Sequence, residues 1–204
     1  MSHWRKEQHR EKYFKQAKRD GYRARSAYKL LQIQERFKVI RRGDLVVDLG
    51  AAPGSWSQVA IALVGRRGRV VALDLQEIAP IPGVRTLQGD MTDLQVQDQL
   101  IAVARRPVDV VLSDAAPATT GVKLRDHVLS MELALAALAV AEEILHPGGN
   151  FVVKVYEGED LPAVIHAVKM AFRRVKINKP DSSREGSWEQ FIVARGYKGR
   201  GSSG

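Results

Sequence analysis

Residues 46–58 read VVDLGAAPGSWSQ: a short apolar run stops at Asp48 and gives way to Gly50, Ala51, Ala52, Pro53 and Gly54. A Val-rich run this short, bounded by turn residues and followed by a helical pattern near 56–64, predicts strand, turn and helix in succession. Residues this small let backbone approach a ligand closely. A carboxylate at the strand end selects a partner that carries positive charge or hydroxyls.

Outward from this stretch the same alternation repeats. Short runs rich in Val and Leu at 45–50, 69–75, 84–90, 108–114 and 149–156 predict strands. Helical patterns lie near 92–105, 127–146 and 160–172, the second expected to close at Pro147 and Gly148. A hairpin edge is expected from 173–179 and 190–197. Strands alternating with helices predict an α/β fold, a mostly parallel sheet with helices on both faces. The 204 residues suit one domain, with no internal repeat and no linker, and the polar end, 198–204, is expected to be a disordered tail.

Composition removes several classes. The chain has no cysteine, which excludes disulfides, thiolate metal sites and Cys nucleophiles. His3, His9, His127, His146 and His166 show no metal-ligand pairing, so no metal site is expected. No apolar run reaches membrane-spanning length. Charge is unevenly spread: residues 1–42 hold 14 Lys and Arg against 4 Asp and Glu, whereas the remainder holds 18 against 19. The excess marks 1–42 as a basic, RNA-facing arm with a helix, ahead of a catalytic body at 43–197. A secretory signal is excluded by the lack of an apolar core, and a mitochondrial presequence is disfavoured by Glu7, Glu11 and Asp20.

In an open α/β sheet, ligands bind beyond the carboxyl ends of the strands. Asp48, Asp74, Asp90, Asp114 and Lys154 all fall at predicted strand ends. Any one of them could cap a helix or form a turn, but together they predict a ligand-binding edge. The phosphate loop GxxxxGK[ST] is absent, and residues 50–55, GAAPGS, fail the GxGxxG spacing of a dinucleotide site. A pyrophosphate would be poorly served by so acidic an edge. A nucleoside bearing a cation fits better: Asp74 for ribose hydroxyls, Asp90 for an adenine amino group, Asp48 with the Gly50 turn for a sulfonium and its amino-acid tail. This chemistry points to S-adenosyl-L-methionine.

The segments DLGAAPGSWSQVA (48–60), RSAYKLLQIQERF (25–37), LSDAAP (112–117), GGNFVVKVYEGED (148–160) and KPDSSREGSWEQFIVARGY (179–197) together resemble the FtsJ/RrmJ family of ribose 2′-O-methyltransferases, from about residue 13 to residue 197. The resemblance implies a Rossmann-like methyltransferase sheet of seven strands with the last antiparallel, binding S-adenosylmethionine and acting on RNA. It places a catalytic tetrad at Lys29, Asp114, Lys154 and Glu189, and cofactor contacts at Gly54, Trp56, Asp74, Asp90 and Asp114. Ser55 and Ala118 depart from the family's pattern, which commonly has glycine and asparagine there. Lys154 also stands out unaided, because Lys is seldom buried in an apolar run such as FVVKVY without a purpose.

The resemblance further implies a monomeric, cytoplasmic enzyme without a membrane partner, methylating a uridine of ribosomal RNA in the large subunit or its precursor. A tRNA anticodon loop or an mRNA cap is the alternative substrate. A non-catalytic RNA-binding module for ribosome assembly is the alternative function, disfavoured by the intact tetrad; a nucleotide-dependent oxidoreductase is disfavoured by the failed GxGxxG.

Overall fold

The computed structural model describes residues 16–117, 121–182 and 188–200. In chain order the elements are α1 (Ala27–Phe37), β1 (Leu45–Leu49), α2 (Ser55–Val64), β2 (Arg69–Asp74), β3 (Val84–Gln88), α3 (Leu94–Ala104), β4 (Val108–Ser113), α4 (Lys123–Ile144), β5 (Leu145–Tyr156), α5 (Leu161–Ala171), β6 (Phe172–Asn178) and β7 (Glu189–Tyr197). They build one seven-stranded sheet in the order β3-β2-β1-β4-β5-β7-β6. The neighbours β3, β2, β1, β4 and β5 pair in parallel, while β7 runs antiparallel to both β5 and β6. The expected Rossmann-like sheet, mostly parallel with its last strand antiparallel, is the sheet observed.

Burial explains the pattern of runs. All five residues of β1 are buried, because the strand is central and covered on both faces. Val46, Val110, Leu112, Val152 and Phe191 face Leu30 and Ile33 of α1 and Trp56 and Val59 of α2. Val47, Leu49, Val111, Phe151, Val153 and Ile192 face α3, α4 and α5. The helix after β1 thus goes to one face and the helix after β4 to the other, although the two strands are neighbours. That reversal opens a crevice at their carboxyl ends, where α/β sheets bind ligands.

The expected stop at Pro147 and Gly148 is corrected. The helix ends at Ile144, and Leu145 is already extended, at φ −72° and ψ 139°. Leu145 pairs with Val108 but the next pair is Asn150 with Val110, so Pro147–Gly149 bulge out of the first turn of β5. Proline and glycine mark an irregularity at a strand's start here, a site that sheets tolerate. The same helix begins at Lys123, ahead of the expected 127.

Residues 198–200 of the segment expected to be a tail lie against the body. Lys198 Nζ donates to the carbonyls of Lys169 and Met170, and Arg200 pairs with Glu143. Residues 201–204 lie outside the described chain, as do 1–15 of the basic arm and Ala118.

The turn after β1 is pinned to its neighbours. Gly50 N and Ala51 N both donate to Leu73 O, at 2.9 and 3.1 Å. Gly50 has φ +67°, and a Cβ there would lie 2.5 Å from Ala115 Cβ and 2.7 Å from Ala115 Cα. Gly43 also has positive φ, +89°, but faces open space. Gly43→Ala should therefore show the left-handed backbone penalty alone, about 1 kcal/mol. Gly50→Ala should lose roughly 1–3 kcal/mol more, because backbone must move to admit the methyl. Urea denaturation of the two variants measures the difference.

Candidate active site

The carboxyl ends of β1, β2 and β4 surround a cavity of about 380 Å³ lined by Gly50, Ala52, Asp74, Asp90, Asp114 and Ala115 among others. A larger groove, about 600 Å³, lies toward the strands' amino ends but gathers none of the expected site residues. Chemistry, more than size, assigns the site to the smaller cavity.

Asp74 ends β2 and staples two loops: its Oδ2 accepts from Ala52 N at 2.9 Å and its Oδ1 from Gln76 N at 2.8 Å. A carboxylate has about four acceptor sites, so both oxygens retain capacity toward a ligand. Asp90, an exposed residue, receives the N–H and hydroxyl of Thr92 on Oδ1, each at 2.8 Å. Those bonds hold its carboxyl below the ordinary range.

Asp48 is fully buried. Its Oδ2 accepts from Ser57 Oγ at 2.6 Å, and its Oδ1 has no hydrogen-bond donor among the described residues. Burial pushes its carboxyl up to about 7; Ser57 opposes that rise, and the nearby negative charges of Asp114 and Asp74 add to it. A protein that buries a carboxylate with one oxygen unpartnered, beside two more carboxylates, is built for a cation to arrive.

The tetrad expected from the resemblance comes together from four elements. Lys154, 6% exposed, points from β5 to the end of β4, where its Nζ donates to the backbone carbonyl of Asp114 at 2.5 Å. The same Nζ lies 3.1 Å from Asp114 Oδ1, an ion-pair contact whose geometry falls short of a hydrogen bond. Lys29, 8% exposed on α1, meets Glu189 Oε1 at 2.6 Å and stands 5.7 Å from the centre of the Phe191 ring. Lys154 pairs in register with Phe191, and Tyr156 with Glu189, so both lysines occupy one face of the β5–β7 ladder.

Besides Asp48, two of the expected cofactor contacts are absent from the cavity lining. Trp56 is 2% exposed, donates Nε1–H to Ser26 O at 2.9 Å and packs 5.5 Å from Phe191. Its indole braces α2 against α1 and β7 and does not line the cavity. Gly54, likewise absent from the lining, turns the chain into α2 with φ +105°.

Two others were not foreseen. Tyr156, half-buried and two residues beyond Lys154, feels the charges of Glu189, Lys29, Asp114 and Asp126; burial first, then Glu189, raises its phenol above the ordinary value. Alternation along a strand puts residues i and i+2 on one face, the signal that would have found it. Arg23 donates to the carbonyls of Pro53, Ala79 and Pro80, at 2.9, 2.7 and 2.7 Å, and its own N–H reaches Gln58 Oε1 at 2.9 Å. The basic segment is thereby tied to the turn it precedes, a contact between residues too far apart in sequence for any motif to show. Among the described residues no group of three His, Asp or Glu could hold a metal, and no helix is long and apolar enough to cross a membrane.

This geometry has close counterparts. The model of the FtsJ-like methyltransferase family matches residues 22–197. A ribosomal RNA large subunit methyltransferase E from Pseudomonas fluorescens is 48% identical over 198 residues, 97% of this chain and 95% of that protein. Its namesake from Methanothermobacter thermautotrophicus is 44% identical over 199 residues, covering 97% and 94%. Among solved structures, a protein assigned as a ribosomal RNA methyltransferase from Plasmodium falciparum superposes with a TM-score of 0.80 at 29% identity, covering 88% of this chain and all of that one. With a match spanning most of its length and the site's four elements in place, the chain belongs to the FtsJ-like methyltransferase family.

Proposed function

We propose that this protein transfers the methyl group of S-adenosylmethionine to a ribose 2′-hydroxyl of large-subunit ribosomal RNA, with a uridine as acceptor. The observation that carries the reading is the convergence of two buried lysines, each paired with a carboxylate, beside a cavity edged by Asp74 and Asp90 with Asp48 buried next to it. The name shared by the relatives from Pseudomonas fluorescens and Methanothermobacter thermautotrophicus supports ribosomal RNA over a tRNA loop or an mRNA cap. The same reading makes the protein a cytoplasmic monomer that meets the large subunit or its precursor.

The cofactor fits by charge. Asp74 is assigned to the ribose hydroxyls, Asp90 to the adenine amino group, and the Gly50 turn to close passage of the amino-acid tail. Asp48 and Asp114 supply the negative field for its cationic groups, and Gly54 and Trp56 act through the position of the turn. The cofactor supplies a methyl group already activated by its sulfonium. The chain's remaining work is to orient the hydroxyl, exclude water and remove a proton.

Lys154 is assigned that proton. Asp114 holds its Nζ at the strand end through a carbonyl and a carboxylate, and burial keeps water from competing for the hydroxyl. Lys29, steadied by Glu189, sits on the helix next to the basic segment and is assigned to the acceptor nucleotide. The raised phenol of Tyr156 stays protonated at working pH and offers a neutral donor to the ribose. Residues 1–42 are assigned to RNA; the stretch before the described chain, 1–15, contributes Arg5, Lys6, Arg10, Lys12 and Lys15.

Three experiments test this reading. In single-turnover methylation at saturating cofactor, Lys154→Ala and Lys154→Arg should both lose on the order of a hundredfold or more, because Arg keeps its proton at any workable pH. A near wild-type rate for Lys154→Arg would overturn the role as base.

Asp48 titrates near 7 in the folded chain against an ordinary 3.8, so the free protein binds its proton more tightly than the unfolded chain does. The stability this gives is present below about pH 4 and lost as pH rises toward about 7. Asp48→Asn should remove that slope and stabilise the free protein at mildly alkaline pH. Near neutrality, cofactor binding to the wild type should expel a proton, visible by calorimetry in buffers of different ionisation enthalpy, and Asp48→Asn should abolish the release.

Removing residues 1–15 should weaken RNA binding and flatten its dependence on salt, while cofactor affinity stays unchanged. Residue 15 is the right limit, because Arg23 anchors the cofactor turn.

A further inference from the structure

The even balance of residues 43–204, 18 basic against 19 acidic, conceals a polarised body, and Arg41 and Arg42 add to one end of it. The carboxyl edge of the sheet carries Asp48, Asp74, Asp90 and Asp114, while the loops that open β1, β2 and β4 carry arginines at the opposite edge. Arg41 and Arg42 precede β1, Arg66 and Arg67 form the single-turn helix Gly65–Arg67 before β2, Arg69 begins β2, and Arg105 and Arg106 precede β4. Arg85 adds a further guanidinium from the edge strand β3. Every one of them is exposed.

These loops are fixed relative to one another. Gly43 N donates to Val64 O at 2.8 Å and Arg69 N to Asp44 O at 3.0 Å. Arg69 Nη2 reaches Ala104 O at 3.0 Å, and Arg106 Nη2 reaches Gly43 O at 3.1 Å. The carboxylates in these loops are largely spoken for. Asp109 faces Arg106 at 2.8 Å and His146 at 3.1 Å and accepts from Leu45 N, and Asp44 accepts from Arg41 N at 2.7 Å. The groove of about 600 Å³ lies here, with Arg69, Arg85 and Arg105 over Leu45, Val71 and Val103, and no carboxylate lines it.

We infer that this amino-edge surface is a second RNA-binding face, which holds the phosphate backbone of a part of the substrate RNA remote from the methylated nucleotide. Guanidinium groups present planar pairs of donors that match phosphate oxygens. A row that runs across three strand openings and onto the edge strand suits an extended polyanion better than one small anion. The catalytic pairs lie at the opposite end of the strands, so a short RNA that fills the active site does not reach this face. A large folded RNA does. The inference rests on an RNA substrate as proposed above, and it adds where that RNA is gripped.

The test uses the full chain carrying Arg66→Gln, Arg67→Gln and Arg85→Gln, three side chains outside the catalytic machinery. Binding and methylation are measured on two RNAs, a large-subunit ribosomal RNA domain and a short hairpin cut from around the methylated nucleotide. On the long RNA the variant should bind on the order of tenfold more weakly at physiological salt, and its salt slope should fall by about one for each phosphate no longer held. Its kcat, its cofactor affinity and its behaviour on the hairpin should match wild type, and an unchanged melting curve confirms the fold. Wild-type affinity for the long RNA would overturn the second face, as would an equal loss on both RNAs. Wild-type protein that binds the long RNA through these arginines but methylates neither substrate would overturn the proposed activity and leave the face standing.

Discussion

The contact between the turn after β1 and the loop after β4 governs everything at the carboxyl edge. Gly50 passes so near Ala115 that no side chain fits between them. This closeness follows from topology: β1 and β4 are hydrogen-bonded neighbours whose following helices leave toward opposite faces. The two loops must diverge from a common point, and Asp48 and Asp114 flank it. Lys154 enters from β5, one strand further, because β5 pairs in parallel with β4 and outruns it.

Charge burial at this point is poor strategy for stability alone. Removing a lysine and a carboxylate from water costs several kcal/mol per ion, and apolar residues of similar volume are often as stable or more so. The site nevertheless buries Lys29, Lys154 and Asp48 within a few strands of one another. Each lysine has its carboxylate, whereas Asp48 has a hydroxyl and two like charges. Both Asp48 and Asp114 keep a buried oxygen without a hydrogen bond among the described residues, but only Asp114 has a lysine beside it. The asymmetry sets a buried carboxylate without a cation of its own next to two lysines that each have a carboxylate.

Much of this was legible in the residues. Strand ends were visible because Val-rich runs stop at Asp48, Asp74 and Asp114, and topology sends parallel strand ends to one edge. Spread motifs supplied Lys29 and Glu189, which composition alone does not single out. Other features depend on contacts that local pattern does not encode. The resemblance made Trp56 a cofactor contact, and local pattern did not show that its indole is buried between α1 and β7. Pro147 and Gly148 looked like a helix stop and became a bulge, because β5 must start early to pair with β4. Tyr156 and Arg23 went unseen, the first for want of a period-two reading around Lys154, the second because its three carbonyl partners are scattered along the chain. The arginine edge was hidden by arithmetic, since Arg41 and Arg42 were counted with the basic arm and the sum over residues 43–204 cancels the other six against carboxylates at the far edge.

The ion pair between Lys29 and Glu189 joins α1 to the last strand, and β7 lies inside the sheet between β5 and β6. Closing so long a stretch of chain is entropically costly and comes late relative to local contacts. The Lys29–Glu189 pair therefore stays unmade until β7 has inserted between β5 and β6. A partial product that retains the cofactor-binding half, β1 to β4, lacks both Lys154 and Glu189. A product that reaches only as far as β5 has Lys154 with Asp114 but not the carboxylate that pairs with Lys29.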